Sequence, residues 1–139
     1  MTVDEICSHE VYVVKANQTL AEVAREMQKH HVEALVVVDS KEDPFRPVGI
    51  VTVGDIVRGS LARGTDLNNL KVGDVMSGDL LTVSEQTDPS TAIESMQCRM
   101  VRRAPVVNAA GELIGIVSLD DLLLAVTSDA DTFAELADR

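Results

Sequence analysis

One short pattern that could bind a phosphorylated sugar occurs twice in this sequence. The copies are residues 49–55, Gly-Ile-Val-Thr-Val-Gly-Asp, and residues 115–121, Gly-Ile-Val-Ser-Leu-Asp-Asp. In each copy a hydroxyl is followed three residues later by a carboxylate, where an apolar run predicted as a strand meets a predicted helix. The free N–H groups at a helix start favour phosphate, and the hydroxyl can donate one more hydrogen bond. The carboxylate accepts two hydrogen bonds, which matches the neighbouring hydroxyls of a ribose.

This chemistry would rest on four side chains: Thr52, Asp55, Ser118 and Asp121. The same spacing of Ser or Thr and Asp also caps a helix start without any ligand. The recurrence of the whole pattern after similar Val-rich runs favours a binding site, and the capping interpretation stays open beside it.

Two arginines precede the second copy of the pattern. Arg102 and Arg103 lie between a predicted helix and a predicted strand, and on the residues alone this pair is typical of a solvated connection.

The other residues with reactive side chains form no catalytic or metal-binding pattern. His30 and His31 are adjacent, so on a helix they point about 100° apart and present no common face to a metal. Cys7 and Cys98 are far apart, and neither belongs to a Cys-x-x-Cys pair. We expect both thiols to be reduced and structural, with reactivity as the alternative. Since no nucleophile–base pair or phosphate loop occurs either, a non-catalytic protein without a metal is predicted.

The composition argues against several classes of partner. The 139 residues carry a formal net charge of −11, and no basic cluster is larger than the two adjacent arginines, so direct nucleic-acid binding is not expected. No apolar run reaches the roughly 18 residues of a membrane-spanning helix. The first ten residues contain three acidic side chains and lack the features of a secretory signal. We therefore expect a cytoplasmic protein that does not insert into membranes.

The elements that must position these residues form an internal repeat. A shift of 69 residues aligns Met27-Gln28 with Met96-Gln97, and a shift of 66 aligns the two seven-residue patterns. Each copy predicts the order strand, helix, strand, strand, helix. The predicted strands are residues 11–14, 35–38 and 48–51 in the first copy, and 81–83, 105–107 and 113–117 in the second.

Local signals predict where the helices begin. Thr19-Leu20-Ala21-Glu22 is a capping box, and Asp88 precedes a proline at a first helical position. The second helix of each copy is predicted to start near Val53 and near Leu119, and residues 58–71 are predicted to connect the copies. Three methionines at helical spacing are predicted to fill the core: Met27, Met96 and Met100.

We therefore predict an α+β fold of two tandem β-α-β-β-α repeats. The first spans residues 1–65 with a core at about 11–58, and the second spans 66–128 with a core at about 72–126. An acidic helical tail is predicted at 129–139. Since a repeat of this size is marginal alone, we expect the two to pack as one pseudo-twofold module.

The chain resembles the cystathionine-beta-synthase-type (CBS) domain family over nearly its whole length. The resemblance is carried by the Gly-x-x-Thr/Ser-x-x-Asp turn in both copies, by strands that end in Val-Val-Asp or Val-Val-Asn, and by Val72-Gly73-Asp74-Val75-Met76. It implies a tandem CBS pair, or Bateman module. It also implies a regulatory role, with AMP, ADP, ATP or an S-adenosylmethionine-like ligand bound in clefts between the repeats, and no obligatory cofactor.

The resemblance further implies a role for individual residues. Asp121 would hold ribose and Ser118 phosphate in one cleft, with Asp55 and Thr52 in the other. The family segment whose basic side chains reach phosphates and whose backbone reads the base corresponds to Arg102, Arg103, Ala104 and Pro105. Val13 and Thr82 would flank the adenine.

The two copies differ in this segment, because the first has Glu33 where the second has Arg102. We therefore expect Ser118 and Asp121 to form the better phosphate site. The resemblance also implies a disk-like homodimer that regulates a separate, unknown protein in trans. The alternative is a ligand-free interaction module whose nucleotide sites are degenerate.

Overall fold

The computed structural model describes residues 1–40, 42–76 and 79–137. Its elements, in chain order, are α1 Val3–Ile6, β1 Val13–Lys15, α2 Leu20–His30, β2 Ala34–Val38, β3 Pro47–Thr52, α3 Val53–Arg63, a 3-10 turn Leu67–Asn69, α4 Val72–Val75, β4 Val83–Ser84, α5 Pro89–Cys98, β5 Arg103–Val107, β6 Leu113–Ser118 and α6 Leu119–Ala137. The strands form two sheets, β1-β2-β3 and β4-β5-β6. The predicted α+β fold and the order strand, helix, strand, strand, helix in each repeat are confirmed.

The chain divides into two compact units. The first-repeat unit is Val11–Leu80, and the second-repeat unit joins Met1–Glu10 to the chain from Leu81 onward. The second-repeat unit is therefore discontinuous in sequence, and the first ten residues belong with the second repeat.

The two sheets have equivalent registers. In each, the first strand runs parallel to the second, and the second runs antiparallel to the third. Ala34 lies opposite Thr52 in one sheet, and Arg103 lies opposite Ser118 in the other. Both hairpins carry an irregularity one residue before the end of the second strand. The internal repeat read from the sequence is thus a structural repeat, position by position.

Each sheet packs one face against its helices. The core of the first-repeat unit includes Leu20, Val23 and Met27 of α2, and the core of the second includes Met96 and Leu122. These cores contain aliphatic side chains, methionine and cysteine, because the chain has only 2% aromatic residues. Burial of each large aliphatic side chain contributes about 1.5–3 kcal/mol.

The helix starts follow the predicted caps. The Thr19 hydroxyl accepts from the Glu22 amide, and the Asp88 carboxylate accepts from the Thr91 amide ahead of Pro89 in the first turn. The hydroxyl of Thr91 also donates to Asp88 at 2.7 Å. These two hydrogen bonds lower the pKa of Asp88, because both favour the ionised carboxylate.

The ends of α2 and α5 correct one prediction. His31 and Met100 occupy equivalent positions, with φ of 55° and 57° in the left-handed region. The chain turns away at these residues, so the Met100 side chain is 91% exposed and does not fill the core. The prediction for Met27 and Met96 is confirmed, since both are buried.

Three further differences from the predictions concern the ends of α3 and α6 and the exposure of Cys98. Helix α3 continues to Arg63, so residues 58–63 are helical and the connection begins at Gly64, which has a φ of 60°. Helix α6 runs without a break into the predicted tail as far as Ala137, and residues 138–139 lie outside the described residues. Cys7 is buried as expected of a structural thiol, but Cys98 is exposed at the end of α5.

The short helices α1 and α4 are equivalent and are exchanged between the repeats. In the first-repeat unit, α4 donates from Val72 N to the Gln18 carbonyl at 2.9 Å. In the second-repeat unit, α1 donates from Val3 N to the Thr87 carbonyl, also at 2.9 Å. Since α1 precedes the first repeat and α4 precedes the second, each unit is completed by the leading helix of the other repeat.

The residues after these helices cover equivalent glycines. The Met76 side chain lies over Gly49, where an added Cβ would meet its Sδ at 2.7 Å. The Ser8 backbone lies over Gly115, where an added Cβ would meet the Ser8 carbonyl oxygen at 2.6 Å. Ser8 also exchanges two backbone hydrogen bonds of 2.9 Å with Ile116 at the edge of β6. Glycine is required at position 115 by this close approach of the backbone.

Among the residues that the structure describes, no helix combines the length and the apolar character needed to cross a membrane.

Candidate functional site

Both predicted hydroxyl–carboxylate pairs lie where a strand meets a helix. Thr52 ends β3 and caps α3, and Ser118 ends β6 directly before α6. In each repeat the amide of the aspartate donates to the hydroxyl, at 3.2 Å for Asp55 and 3.0 Å for Asp121. The predicted position of the pattern is therefore confirmed in both repeats.

The carboxylate of Asp55 is occupied by the protein itself. Its Oδ2 accepts from the Thr52 amide at 2.9 Å and from the Thr52 hydroxyl at 3.0 Å, which completes a capping box. Its Oδ1 accepts from Arg58 at 3.1 Å. Both oxygens and the Thr52 hydroxyl are thus committed to contacts within the first-repeat unit.

The carboxylate of Asp121 is available. It is exposed, and no hydrogen bond or ion pair joins it to another residue in the described part of the chain. The Ser118 hydroxyl accepts the Asp121 amide and has no acceptor of its own within the same range, so its proton is available to a ligand. The hydroxyl and carboxylate of this pattern are therefore occupied by contacts within the protein in the first repeat and available to a ligand in the second.

Arg103, the first residue of β5, and Arg102 before it lie beside the Ser118 and Asp121 pair. Arg103 is opposite Ser118 in the β5–β6 hairpin, and the Arg102 carbonyl accepts from the Leu119 amide at 2.8 Å. The Arg102 guanidinium lies 2.6 Å from Asp120 Oδ1, and both side chains are exposed. Asp120 thus holds the Arg102 guanidinium next to the start of α6, one residue before Asp121 in the sequence.

The first repeat has the opposite charge at this point. The Glu33 carbonyl accepts from the Val53 amide at 3.1 Å, which makes Glu33 the structural equivalent of Arg102. Ala34 is equivalent to Arg103. A phosphate near Thr52 would therefore approach an acidic side chain where the second repeat offers two basic ones.

Pro105 changes the edge of the second sheet. In the first unit the Val36 amide donates to the Tyr12 carbonyl at 3.1 Å. Pro105 is the equivalent of Val36 and has no N–H, so the matching bond to the Leu81 carbonyl cannot form. Strand β4 accordingly begins only at Val83, one residue after the position equivalent to the start of β1.

The remaining predicted site residues lie in strands or next to them. Ala104 and Pro105 are buried in the middle of β5, and Thr82 is exposed just before β4. Val13 is half-buried in β1, beside Val36. The structure thus groups Thr82, Arg102, Arg103, Ala104, Pro105, Ser118 and Asp121 in the second-repeat unit, and Val13, Thr52 and Asp55 in the first.

Sequence reasoning missed two charged partners of the site. Arg58 is three residues after Asp55 on α3, a spacing that signals an ion pair on a helix. Arg58 and Asp55 line a cavity of about 260 Å³ together with Gly59, Arg63, Asp74 and Val75. Asp120 was missed because its ion pair with Arg102 joins residues 18 positions apart.

It also missed a group of three ligand-type side chains. Asp4, Cys7 and His9 lie close together at the end of α1. Burial of the Cys7 thiol, with the charge of Asp4 adding to it, raises the pKa of Cys7. The sequence signal was the close spacing of a cysteine, a histidine and a carboxylate within six residues, which pairwise inspection of cysteines and of adjacent histidines does not find.

A family model described as "CBS domain" matches residues 3–62 and 72–128. Among curated proteins, the chain is 40% identical over 124 residues to an uncharacterized 17.7 kDa protein of Acidianus ambivalens, covering 89% of this chain and 72% of that one. It is 31% identical over 123 residues to an uncharacterized protein of Methanopyrus kandleri, covering 88% of this chain and 61% of the relative, so part of that relative has no counterpart here.

Solved structures with the same fold include two CBS proteins. A putative signal-transduction protein with CBS domains from Burkholderia ambifaria superposes with a TM-score of 0.81 at 25% identity, covering 93% of this chain and 96% of that one. The CBS domain pair of protein MJ0100, in complex with 5'-methylthioadenosine and S-adenosyl-L-methionine, superposes with a TM-score of 0.77 at 24% identity, covering 93% and 98%.

Proposed function

This chain belongs to the CBS domain family, and we propose that it is a non-catalytic regulatory module that binds an adenosine-containing ligand in its second repeat. One observation carries the proposal: the Asp121 carboxylate has no partner in the described chain, whereas Asp55 in the same pattern is fully occupied. An exposed carboxylate at the N-terminal end of a long helix is suited to accept from a vicinal diol.

The chemistry of the neighbouring residues supports a ribose with a phosphate. Asp121 would accept from the two ribose hydroxyls, and the Ser118 hydroxyl and the first amides of α6 would donate to phosphate. Arg102 would add positive charge within reach of the same group. The adenine would lie near Thr82 and Pro105, where the Leu81 carbonyl lacks a strand donor and can accept from the base.

The proposed class of ligand is inferred from the residues of this chain and not from the ligands of a similar structure. The complex of MJ0100 contains adenosine derivatives, but at 24% identity its likeness to this chain establishes the fold alone. Arg102, whose guanidinium lies beside the first turn of α6, favours ligands with phosphate, so AMP, ADP or ATP come before S-adenosylmethionine. The proposal places the module in the cytoplasm, where free thiols such as Cys98 persist.

Regulation would act on a separate protein through a dimer of this chain. Three apolar side chains lie one turn apart on α3 and are 45%, 48% and 77% exposed: Val53, Val57 and Leu61. We propose that a second copy covers this α3 stripe, because apolar stripes on helices pack against similar stripes. A ligand regulates such a dimer only if it binds one arrangement more tightly than another.

A ligand-free interaction module is the second candidate. It is favoured by the first repeat, where the Thr52 and Asp55 pattern serves as a complete helix cap and needs no ligand. The two candidates differ in whether any nucleotide binds the native state.

Thermal unfolding separates them, because a ligand of the native state raises the midpoint once its concentration exceeds Kd. The panel is AMP, ADP, ATP, S-adenosylmethionine, NAD and GTP, measured with the natural sequence, Asp121→Ala and Asp55→Ala. The proposal predicts a rise with adenine ligands that is lost in Asp121→Ala and kept in Asp55→Ala. No rise with any ligand would support the interaction module, and equal losses in both variants would refute the assignment to the second repeat.

Light scattering tests the dimer. The natural sequence should have twice the mass of one chain, and Leu61→Asp should reduce it, because a charge within an apolar interface is desolvated. Asn69→Asp, also at an exposed position, is the control for added charge. A monomer for the natural sequence would contradict this part of the proposal.

A further inference from the structure

A cysteine, a histidine and a carboxylate meet at the end of α1. Cys7 Sγ lies 3.7 Å from His9 Nε2, and the same nitrogen lies 3.4 Å from Asp4 Oδ1. The three ligand atoms are all within 4.8 Å of one another. We refer to Asp4, Cys7 and His9 as the α1 cluster. None of its members belongs to the proposed nucleotide site.

The other nitrogen of His9 fixes the orientation of the ring. His9 Nδ1 lies 3.2 Å from the Ile114 carbonyl oxygen. A carbonyl only accepts, so with a cation at Nε2 the ring proton is on Nδ1 and donates to the Ile114 carbonyl. Metal-binding histidines are typically held in this way, by an outer hydrogen bond from the second nitrogen to a carbonyl or carboxylate.

The surroundings of His9 Nε2 are rich in acceptors. Besides Asp4 Oδ1 and Cys7 Sγ, the Asp4 carbonyl oxygen lies 3.0 Å away. A single N–H at Nε2 points at one of these atoms and leaves the others facing each other. A cation placed among them is attracted by the lone pair, the carboxylate and the sulfur together.

The spacing of the cluster matches a tetrahedral ion. Zinc binds sulfur at about 2.3 Å, nitrogen at about 2.0–2.1 Å and carboxylate oxygen at about 2.0–2.2 Å. Two such ligands on a tetrahedral ion are therefore about 3.3–3.6 Å apart. The observed separations are 3.7 Å for sulfur and nitrogen and 3.4 Å for nitrogen and oxygen. The third, between sulfur and the Asp4 carboxylate, is within 4.8 Å, and rotation of the exposed Asp4 side chain would bring it into range.

We propose that Asp4, Cys7 and His9 bind one thiophilic divalent cation of the Zn²⁺ class, with solvent as the fourth ligand. Sulfur and imidazole ligands favour such an ion over Mg²⁺ or Ca²⁺, which prefer oxygen ligands. Cys7 is buried whereas Asp4 and His9 are exposed, so the ion reaches the site from solvent. Through the Ile114 contact, the ion ties the segment after α1 to the edge of β6.

Cobalt substitution tests the ligand set. The full chain is titrated with Co²⁺ in the presence of excess Mg²⁺, which occupies weak carboxylate sites on this acidic protein. We expect one Co²⁺ per chain, a near-ultraviolet band from thiolate-to-cobalt charge transfer, and the intense visible absorption of a tetrahedral ion. Addition of Zn²⁺ displaces the cobalt and raises the thermal midpoint of the chain.

The variants distinguish the cluster from other thiols and imidazoles. His9→Gln is the main variant, since His9 is exposed and the change leaves the core intact. It should weaken binding about a hundredfold or more, beyond the effect of losing an outer hydrogen bond. Cys7→Ser should abolish the charge-transfer band. Cys98→Ser and His31→Asn are the controls, and Asn tolerates the positive φ at position 31.

Three results would overturn the assignment. One is a natural sequence that binds no Co²⁺ or Zn²⁺ at micromolar concentrations. Another is a His9→Gln variant that binds as tightly as the natural sequence. The third is a charge-transfer band that disappears in Cys98→Ser, which would assign the metal to the exposed thiol.

Discussion

The carboxylate of Asp55 accepts both the amide and the hydroxyl of Thr52 on one oxygen, at 2.9 and 3.0 Å. Asp121 makes neither contact with Ser118 in the described chain, although the two pairs occupy equivalent positions. In one repeat the carboxylate stabilises the start of the helix, and in the other it is exposed to solvent.

This difference predicts that two matched substitutions lower the free energy of unfolding by unequal amounts. Asp55→Ala should lower the free energy of unfolding by about 1–2 kcal/mol, because it removes the second half of a helix cap and a partner of Arg58. Asp121→Ala should lower it by less than about 0.5 kcal/mol, because the exposed carboxylate has no partner to lose. Urea denaturation monitored by circular dichroism measures both. Equal destabilisation would mean that the two carboxylates have the same structural role.

Arg102 should discriminate between ligands with and without phosphate. Arg102→Ala is expected to weaken ATP binding about tenfold, or about 1.4 kcal/mol, and to leave adenosine binding unchanged. Its effect on stability should be below about 1 kcal/mol, since the ion pair with Asp120 is exposed. Calorimetric titration with both ligands, with Arg25→Ala as the control for lost charge, measures the difference. A similar loss for ATP and adenosine would place Arg102 away from the phosphate.

The two equivalent glycines should differ in their tolerance of alanine. Gly115→Ala should cost about 1–3 kcal/mol of stability, because the new Cβ meets the Ser8 backbone, which is held by two hydrogen bonds to Ile116. Gly49→Ala should cost less, because the atom it meets is the sulfur of Met76, a flexible side chain that can move. Thermal unfolding of the two variants compares them. A larger loss for Gly49→Ala would show that Met76 is the more rigid neighbour.

The cap of α5 predicts a dependence of stability on pH. The hydrogen bonds from Thr91 lower the pKa of Asp88 below the ordinary value of an aspartate. The ionised carboxylate therefore stabilises the folded state fully above the unfolded pKa, and this contribution is lost as the pH falls through the lower folded pKa. Asp88→Asn keeps a cap without a charge. The difference in stability between the natural sequence and this variant should be constant near neutral pH and should change only below about pH 4.

The regular elements of the fold could be predicted because each has a local signal. The Val-rich strands, the proline after Asp88 and the glycine in the β5–β6 turn act within a few residues, and the repeat made the order of elements appear twice. Met100 was misplaced because its spacing from Met96 continues the helical stripe, whereas the left-handed turn that ends α5 has no glycine to mark it.

The exchange of α1 and α4 had no signal of this kind. Each helix has four residues, which is too short for a periodic pattern, and the partners are far away in the sequence, as Val3 and Thr87 are. The difference between the occupied carboxylate of Asp55 and the exposed carboxylate of Asp121 could not be predicted from the sequence either. It depends on side-chain contacts, such as that of Arg58 with Asp55, that a shared sequence pattern does not distinguish.

The exchange also sets an order for the synthesis of the protein. The first-repeat unit is one continuous stretch, Val11–Leu80, and it has all its strands and helices once that stretch has left the ribosome. The α1 segment is made before this stretch but lacks its partners at that stage, because Ser8 pairs with Ile116 and Val3 with Thr87. The second-repeat unit therefore closes only after β6 has been made, when the first-repeat unit is already complete.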